Sequence, residues 1–159
     1  MAFADGKGFF GWRNHLVATL EDRVVAVSAG YGLAAYLRLT LGHISQVWRA
    51  YDAPAFLRVM RRGMQLQDLM PPPAPGVFYL ANFGVRADLR SQGIGRMMLD
   101  RQRDAAILSR YRVFALDVAV TNPRALALYE HWGLRIVRTN RFAGRRELVS
   151  DTVRMEIRL

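Results

Sequence analysis

A glycine turn between an apolar strand and a helix constrains this sequence more than any other feature. The apolar run Val77–Val85 leads into the turn Arg90-Ser91-Gln92-Gly93-Ile94-Gly95, and a helix-compatible segment from Ile94 to about Ser109 leaves it. Such a turn exposes backbone N–H groups at a helix N-terminus, where the helix dipole favours phosphate and glycine lets a ligand approach closely. The stretch predicts a phosphate-binding strand–turn–helix unit.

A second strand and helix follow directly. The run Val113–Val120 is apolar, and the segment from Asn122 to His131 carries Asn at the cap position, Pro at the first helical position and Gly133 as the stop. These are strong signals for the start and end of a helix. The pattern predicts alternating strands and helices from Val77 to about Val137.

Two common phosphate-binding motifs are excluded in their strict form. The dinucleotide fingerprint requires a third glycine at position 98, where the sequence has Met98. A Walker motif requires Lys followed by Ser or Thr after Gly95, where the sequence has Arg96-Met97. What remains is R-x-x-G-x-G after a strand, and then N-P-x-A-x-x-L-Y-E-x-x-G.

In this order and spacing, the two motifs resemble those of the GNAT superfamily of N-acetyltransferases. That family carries Q/R-x-x-G-x-G/A as its acetyl-CoA motif and N-x-x-A-x-x-x-Y on a later helix. The resemblance implies an α/β fold with a mixed, mostly antiparallel sheet and helices on both faces. It also implies transfer of an acetyl group from acetyl-CoA to an amine acceptor by direct attack on the thioester.

The resemblance also implies a set of residues that bind acetyl-CoA. The backbone N–H groups of the turn would hold the pyrophosphate, with charge from two arginine side chains. The strand before the turn would pair with the pantetheine arm through exposed backbone, with the Val85 N–H polarising the thioester carbonyl and Gly84 forming a bulge. The expected set is Phe83, Val85, Arg90, Ser91, Gln92, Gly93, Ile94, Gly95, Arg96 and Asn122.

The catalytic groups are less completely assigned. Tyr129 occupies the position of the family's general acid, and a phenol with a pKa of ~10 remains a donor at neutral pH. Many family members carry a carboxylate base on the strand before the turn, but this chain has Ala81 and Asn82 there. The base stays open between Asp117, Glu130 and a water chain anchored on Asn82. A non-catalytic acyl-CoA-binding module is the alternative.

The rest of the chain fits a single acetyltransferase domain over 1–159. We predict a β-hairpin over 12–30, one or two helices over 33–70, the acetyl-CoA core over 77–137 and a strand over 152–159. Family members usually begin with a strand and one or two helices ahead of the hairpin. In this sequence, three explanations stay open: the helical insert (residues 33–70) takes their place, a partner chain takes their place, or the reading frame is shortened.

Two finer packing patterns can be predicted. Helical spacing on the segment after the turn predicts that Ile94, Met97, Met98, Ala105 and Leu108 pack on the sheet. Strict alternation over the last strand predicts an apolar face of Val153, Met155, Ile157 and Leu159 and a polar face of Thr152, Arg154, Glu156 and Arg158.

Composition narrows the function classes. With 159 residues, 52% hydrophobic and 23% charged, the chain is typical of a globular protein. There is no cysteine, and the three histidines have no metal-ligand spacing, so we expect no metal. The net charge of +10 also fits a nucleic-acid-binding protein, but we favour scattered surface charge because there is no long basic run.

The sequence also gives expectations for cellular location and oligomeric state. The N-terminus has no apolar core of a signal peptide, and the stretch 24–37 is shorter than the ~20 residues of a membrane helix. We therefore expect a cytoplasmic protein that has no membrane partner. Exposed strand edges are compatible with a homodimer.

Overall fold

A mixed sheet organises the computed structural model, which describes residues 4, 6–142 and 149–159. Within these residues the sheet has six strands in the order β1-β2-β3-β4-β6-β5, and only the β3–β4 pair is parallel. The strands are β1 His15–Leu20, β2 Arg23–Tyr31, β3 Val77–Val85, β4 Val113–Ala119, β5 Arg135–Asn140 and β6 Thr152–Arg158. The predicted mixed, mostly antiparallel α/β fold is confirmed.

Four helices accompany the sheet in the described part of the chain. They are α1 Leu33–Ala50, α2 Ala53–Leu66, α3 Ile94–Leu108 and α4 Pro123–Trp132, with short 3-10 turns at Trp12–Asn14 and Ala87–Leu89. Asp52 caps α2 through a 2.8 Å hydrogen bond from the Ala55 N–H, and Gly133 ends α4 in the left-handed conformation. Residues 1–3, 5 and 143–148 of the predicted domain lie outside the described residues.

The two faces of the sheet are covered differently. Helices α3 and α4 pack on the face that carries Phe78, Leu80 and Leu116, and they form the larger buried cluster. The other face carries Val77, Tyr79 and Ala115. Helix α1 covers part of it through the ring contact of Tyr36 with Tyr31, and Phe9 of the N-terminal segment packs against both rings. Helices therefore lie on both faces, and the glycine turn lies on the face of α3 and α4.

The predicted buried face of α3 is wrong by about one position. Met98 is buried as expected, but Met97 is 49% exposed, Leu108 is 84% exposed and Ala105 is also exposed. The buried residues are Met98, Leu99, Gln102 and Ala106. Gln102 belongs to this face because its Nε2 donates to Ser28 Oγ at 2.8 Å. A pattern of apolar residues alone does not include a buried, hydrogen-bonded glutamine.

The alternation predicted for β6 is present, but one residue of its polar face, Arg154, is buried. Arg154 is 6% exposed because its guanidinium forms two hydrogen bonds, of 2.9 and 2.8 Å, with the buried carboxylate of Asp117 on β4. Asp117 also accepts hydrogen bonds from Tyr79 Oη at 2.9 Å and from Asn140 Nδ2 at 2.8 Å. Burial and the Asp117 charge raise the pKa of Tyr79 well above its usual value. A buried arginine is therefore paired and a buried carboxylate is fully bonded, as charges in a protein interior require.

This ion pair also anchors residues 71–76, a proline-rich linker between α2 and β3, to the sheet. Arg154 Nη2 donates to the Pro71 carbonyl at 3.2 Å, and Thr152 Oγ1 donates to the Leu69 carbonyl at 2.6 Å. The linker follows α2, so these bonds anchor the end of the helical insert against β6. Within the described residues, no helix is long and apolar enough to cross a membrane.

We expect Arg154→Met to lower the free energy of unfolding by about 3 kcal/mol, because it leaves the Asp117 carboxylate buried without its partner. Urea denaturation monitored by circular dichroism measures this change. Arg158→Met, at an exposed position of the same strand, is the control and should change stability by less than about 0.5 kcal/mol. Equal losses in the two variants would contradict the role of the buried pair.

Candidate active site

Strands β3 and β4 diverge after a short parallel pairing. They pair only at Val77 with Val113, Phe78 with Phe114, and Tyr79 with Ala115. Beyond this point β4 stays paired with β6 as far as Ala119, and β3 continues beside β2. The edge of β3 that faces β4 is therefore without a partner strand from Leu80 to Val85, and a cleft of about 920 Å³ opens there.

A bulge in β3 lies at the start of this divergence. Ala81 pairs with Ala29 and Gly84 pairs with Val27, so Asn82 and Phe83 together lie opposite the single residue Ser28. Asn82 has a left-handed backbone with φ 50°, which asparagine adopts more readily than most residues. The bulge predicted at Gly84 therefore lies one to two residues earlier. A bulge bends the strand that carries it, which directs the second half of β3 away from β4.

The glycine turn opens onto the cleft. Gly93 is the N-cap of α3 with φ 82°, Ser91 has φ 62°, and no side chain caps the helix. The first intrahelical bond of this turn runs from the Met97 N–H to the Gly93 carbonyl at 3.0 Å, which leaves the preceding N–H groups without helical acceptors. These free N–H groups and the dipole of α3 suit a phosphate.

Three arginines surround the turn and line the cleft: Arg90, Arg96 and Arg124. Arg90 Nε donates to the Val85 carbonyl at 3.0 Å, and Arg124 Nη2 donates to Ser91 Oγ at 2.9 Å. The sequence-based set missed Arg124. Its signal was present, since Arg124 lies in the first turn of α4 directly after the capped start, at the end of the helix that faces the cleft.

The structure brings most of the expected binding residues to the cleft. Those that line it are Phe83, Val85, Arg90, Ser91, Gly93, Gly95, Arg96 and Asn122. Gln92 and Ile94 do not line it. Gln92 is exposed and its Nε2 donates to the Asp88 carbonyl at 3.4 Å. Asn122 caps α4, because its Oδ1 accepts from the Ala125 N–H at 3.1 Å, and so its Nδ2 is the group left to face a ligand.

Tyr129 lies on the wall of the cleft. Its side chain is 7% exposed and packs edge-on against Phe83, with ring centroids 6.0 Å apart. Burial raises the pKa of Tyr129 to about 12. The phenol therefore keeps its proton at neutral pH and can act as a donor towards the cleft.

The candidate bases differ in position. Asp117 lines the cleft, but its carboxylate is fully buried and accepts hydrogen bonds from Arg154, Tyr79 and Asn140. Glu130 is exposed and does not line the cleft. Asn82 lines it. Among the described residues, no group of three or more histidine, cysteine, aspartate or glutamate side chains could hold a metal ion.

A family model described as "Acetyltransferase (GNAT) family" matches residues 10–134. The chain belongs to the GNAT acetyltransferase family. The match spans the hairpin, the helical insert and every residue that lines the cleft, whereas β5 and β6 lie beyond it. No curated protein matches the chain in sequence.

Solved structures with the same fold include several GNAT proteins. An N-acetyltransferase from Staphylococcus aureus Mu50 has a TM-score of 0.66 at 15% identity, covering 98% of this chain and 76% of that chain. A GNAT family acetyltransferase from Elizabethkingia anophelis with acetyl-CoA bound has a TM-score of 0.60 at 13% identity, covering 91% and 75%. The ribosomal-protein-S18-alanine N-acetyltransferase from Escherichia coli has a TM-score of 0.58 at 18% identity, covering 98% and 74%. These likenesses support the shared fold.

We expect Gly93→Val to weaken acetyl-CoA binding at least about tenfold, because the free N–H groups at this turn need close approach of a phosphate. An added Cβ at Gly93 meets no protein atom within 4 Å, so the side chain would occupy the space of the ligand. Isothermal titration calorimetry with acetyl-CoA measures the change.

Gly76→Val is the matched control for this test. Gly76 has a similar φ of +79° and equally open surroundings, but it lies outside the cleft. Both variants carry the same backbone strain of about 1–2 kcal/mol. An equal loss of acetyl-CoA affinity in both would mean that strain, and not the phosphate turn, explains the effect.

Proposed function

We propose that this GNAT-family protein transfers the acetyl group of acetyl-CoA to a primary amine, by direct attack of the amine on the thioester and with Tyr129 as general acid. The proposal rests on one observation, which is that three features open onto the same cleft. They are the unpaired edge of β3, the uncapped N-terminus of α3 and the hydroxyl of the mostly buried Tyr129.

The unpaired edge of β3 offers backbone groups to an extended ligand. The Arg86 N–H donates to the Val25 carbonyl on β2 at 2.8 Å. Because successive backbone amides of a strand point to opposite edges, the N–H of Val85 faces the cleft. In the proposal, the pantetheine arm pairs with this edge as an added strand would, and the Val85 N–H donates to the thioester carbonyl.

The diphosphate end of the ligand would lie at the turn. The N–H groups of Gly93 to Arg96 would donate to its oxygens, and the side chains of Arg90, Arg96 and Arg124 would offset its charge. Ser91 Oγ already holds the Arg124 guanidinium at 2.9 Å, so part of this arrangement exists before the ligand binds. Such preorganisation lowers the cost of ordering side chains on binding.

The chemical step then needs two proton movements. Acetyl-CoA supplies an activated acyl group, whose C–S bond breaks as the C–N bond to the amine forms. Tyr129 Oη gives its proton to the departing thiolate and regains one from water. The amine loses its proton to water at the exposed side of the cleft, where Asn82 lies.

Release of free CoA thiol in the presence of amines tests the proposal. We expect the purified chain to bind acetyl-CoA at one site and to release thiol with at least one primary amine from a panel of peptides with free N-termini and alkylamines. Binding without thiol release across the panel would favour an acyl-CoA-binding module, since β3 carries no carboxylate. No binding at all would contradict the assignment of the cleft.

We expect Tyr129→Phe to lower kcat by about 100-fold, at the lower end of the range for loss of a general acid. The affinity for acetyl-CoA should change by less than about twofold, because the phenylalanine ring keeps the packing against Phe83. Tyr51→Phe, at an exposed position outside the cleft, is the control. An unchanged kcat in Tyr129→Phe would contradict the general-acid role.

The raised pKa of Tyr129 predicts the direction in which kcat/KM changes with pH. The amine gains reactivity as it loses its proton near pH ~10.4, whereas Tyr129 stays protonated up to about pH 12. We therefore expect kcat/KM for an alkylamine to rise with pH up to at least ~10 without a decline. A decline with an apparent pKa near 9 to 10 would mean that the acid is not the buried phenol.

A further inference from the structure

The side chain of Asn82 is held from two sides at the edge of the cleft. Its Nδ2 lies 3.3 Å from the Phe9 carbonyl and 3.1 Å from His15 Nε2. His15 Nδ1 in turn lies 3.0 Å from the Gly11 carbonyl. Phe9 and His15 therefore both contact one amide of β3, and Gly11 holds the His15 ring.

These hydrogen bonds form a series that begins at the Gly11 carbonyl and ends at the Phe9 carbonyl. The two carbonyls determine the direction of every hydrogen bond in the series. A carbonyl oxygen only accepts, so His15 Nδ1 must carry the hydrogen that faces Gly11. In the neutral imidazole, Nε2 is then the acceptor, and it receives a hydrogen from Asn82 Nδ2. The second Nδ2 hydrogen points to the Phe9 carbonyl. Both amide hydrogens are thus used by the protein.

The carboxamide oxygen of Asn82 is left for a ligand. Within the described residues no protein group donates to Oδ1, although Asn82 lines the cleft and is exposed. A backbone with φ 50° is uncommon for a residue other than glycine. The bulge therefore presents this side chain at the unpaired edge, three residues before Val85, whose N–H would donate to the thioester carbonyl.

His15 approaches from the face of the sheet that α3 and α4 do not cover. In register, His15 lies opposite Ala29, and Ala29 lies opposite Ala81, so these three side chains share one face. Ala81 packs with the cluster of Val77 and Tyr79 on that face. The phosphate turn lies on the other side, so Asn82 is reached from the side that acetyl-CoA leaves open.

We propose that Asn82 Oδ1 accepts a hydrogen bond from the acceptor amine and that His15, with the Phe9 carbonyl, is the positioning residue that keeps this oxygen turned towards the cleft. This inference rests on the proposed acetyl transfer. The contact directs the lone pair of the amine towards the thioester carbon, and the proton released on attack leaves to water at the exposed side of Asn82. An amide oxygen thereby orients the nucleophile at the place where this chain lacks a carboxylate.

The test uses steady-state kinetics with propylamine as the acceptor probe and calorimetry with acetyl-CoA. Asn82→Gly removes the side chain without backbone strain, because glycine adopts positive φ freely. We expect it to raise KM for propylamine about tenfold or more, the effect of one lost hydrogen bond to an ionisable group. The dissociation constant for acetyl-CoA should change by less than about twofold, because the phosphate turn and Val85 are untouched.

His15 variants separate positioning from general structural support. His15→Gln places an amide oxygen near the site of Nε2 and should keep KM for propylamine within about threefold of wild type. His15→Ala should raise it about as much as Asn82→Gly, and the double variant should be no worse than Asn82→Gly alone, since both act on one contact. Glu130→Gln, outside the cleft, is the control.

Each outcome bears on a different claim. Turnover with an unchanged KM for propylamine in Asn82→Gly would overturn the inference and leave the acetyl transfer intact. A His15→Gln variant as impaired as His15→Ala would overturn the positioning role. If the wild-type chain binds acetyl-CoA but releases no thiol with propylamine or with any amine of the panel, the proposed function fails, and the inference fails with it.

Discussion

The hydrogen bonding between β3 and β4 stops after three residue pairs, and the candidate active site depends on where it stops. Up to Tyr79 the two strands form an ordinary parallel pair within the sheet. Beyond it, β3 keeps its hydrogen-bonding groups but has no strand to satisfy them. Backbone groups in this state cost free energy unless water or a ligand pairs with them. The unpaired backbone groups that make the opening unfavourable within a folded sheet can also pair with an extended ligand. The opening is therefore a candidate binding site.

Each of the two diverging strands is anchored away from the other. The second half of β3 is bent by the bulge at Asn82 and Phe83 and stays beside β2. Strand β4 is held to β6 along its whole length, and the buried pair of Asp117 with Arg154 reinforces this pairing from inside the sheet. The ion pair thus supports the site although the Asp117 carboxylate is fully buried and Arg154 does not line the cleft. Asp117 stabilises the wall that carries Leu116 and Val118, and α4 places Tyr129 beside that wall.

The sequence predicted the parts of this site that depend on local backbone chemistry. Gly93 allows the left-handed turn, Asn122 and Pro123 start α4, and Gly133 ends it, and each of these requirements is met by residue type alone. Contacts between distant residues were not predictable in this way. Arg154 reads as an outward-facing residue until Asp117 is placed opposite it, and Gln102 reads as solvent-exposed until Ser28 is placed beside it. Likewise, the short link from Asn82 to His15 joins residues 67 positions apart.

Amide hydrogen exchange of β3 and of the α3 N-terminus, with and without acetyl-CoA, tests the central claim most directly. The account predicts that acetyl-CoA slows exchange at the Val85 amide and at the amides from Gly93 to Arg96, because the ligand pairs with groups that have no acceptor in the free protein. The amide of Arg86, already bonded to Val25, should change much less. Protection at the α3 N-terminus without any at Val85 would contradict the claim that the divergence of β3 from β4 forms the site of the thioester.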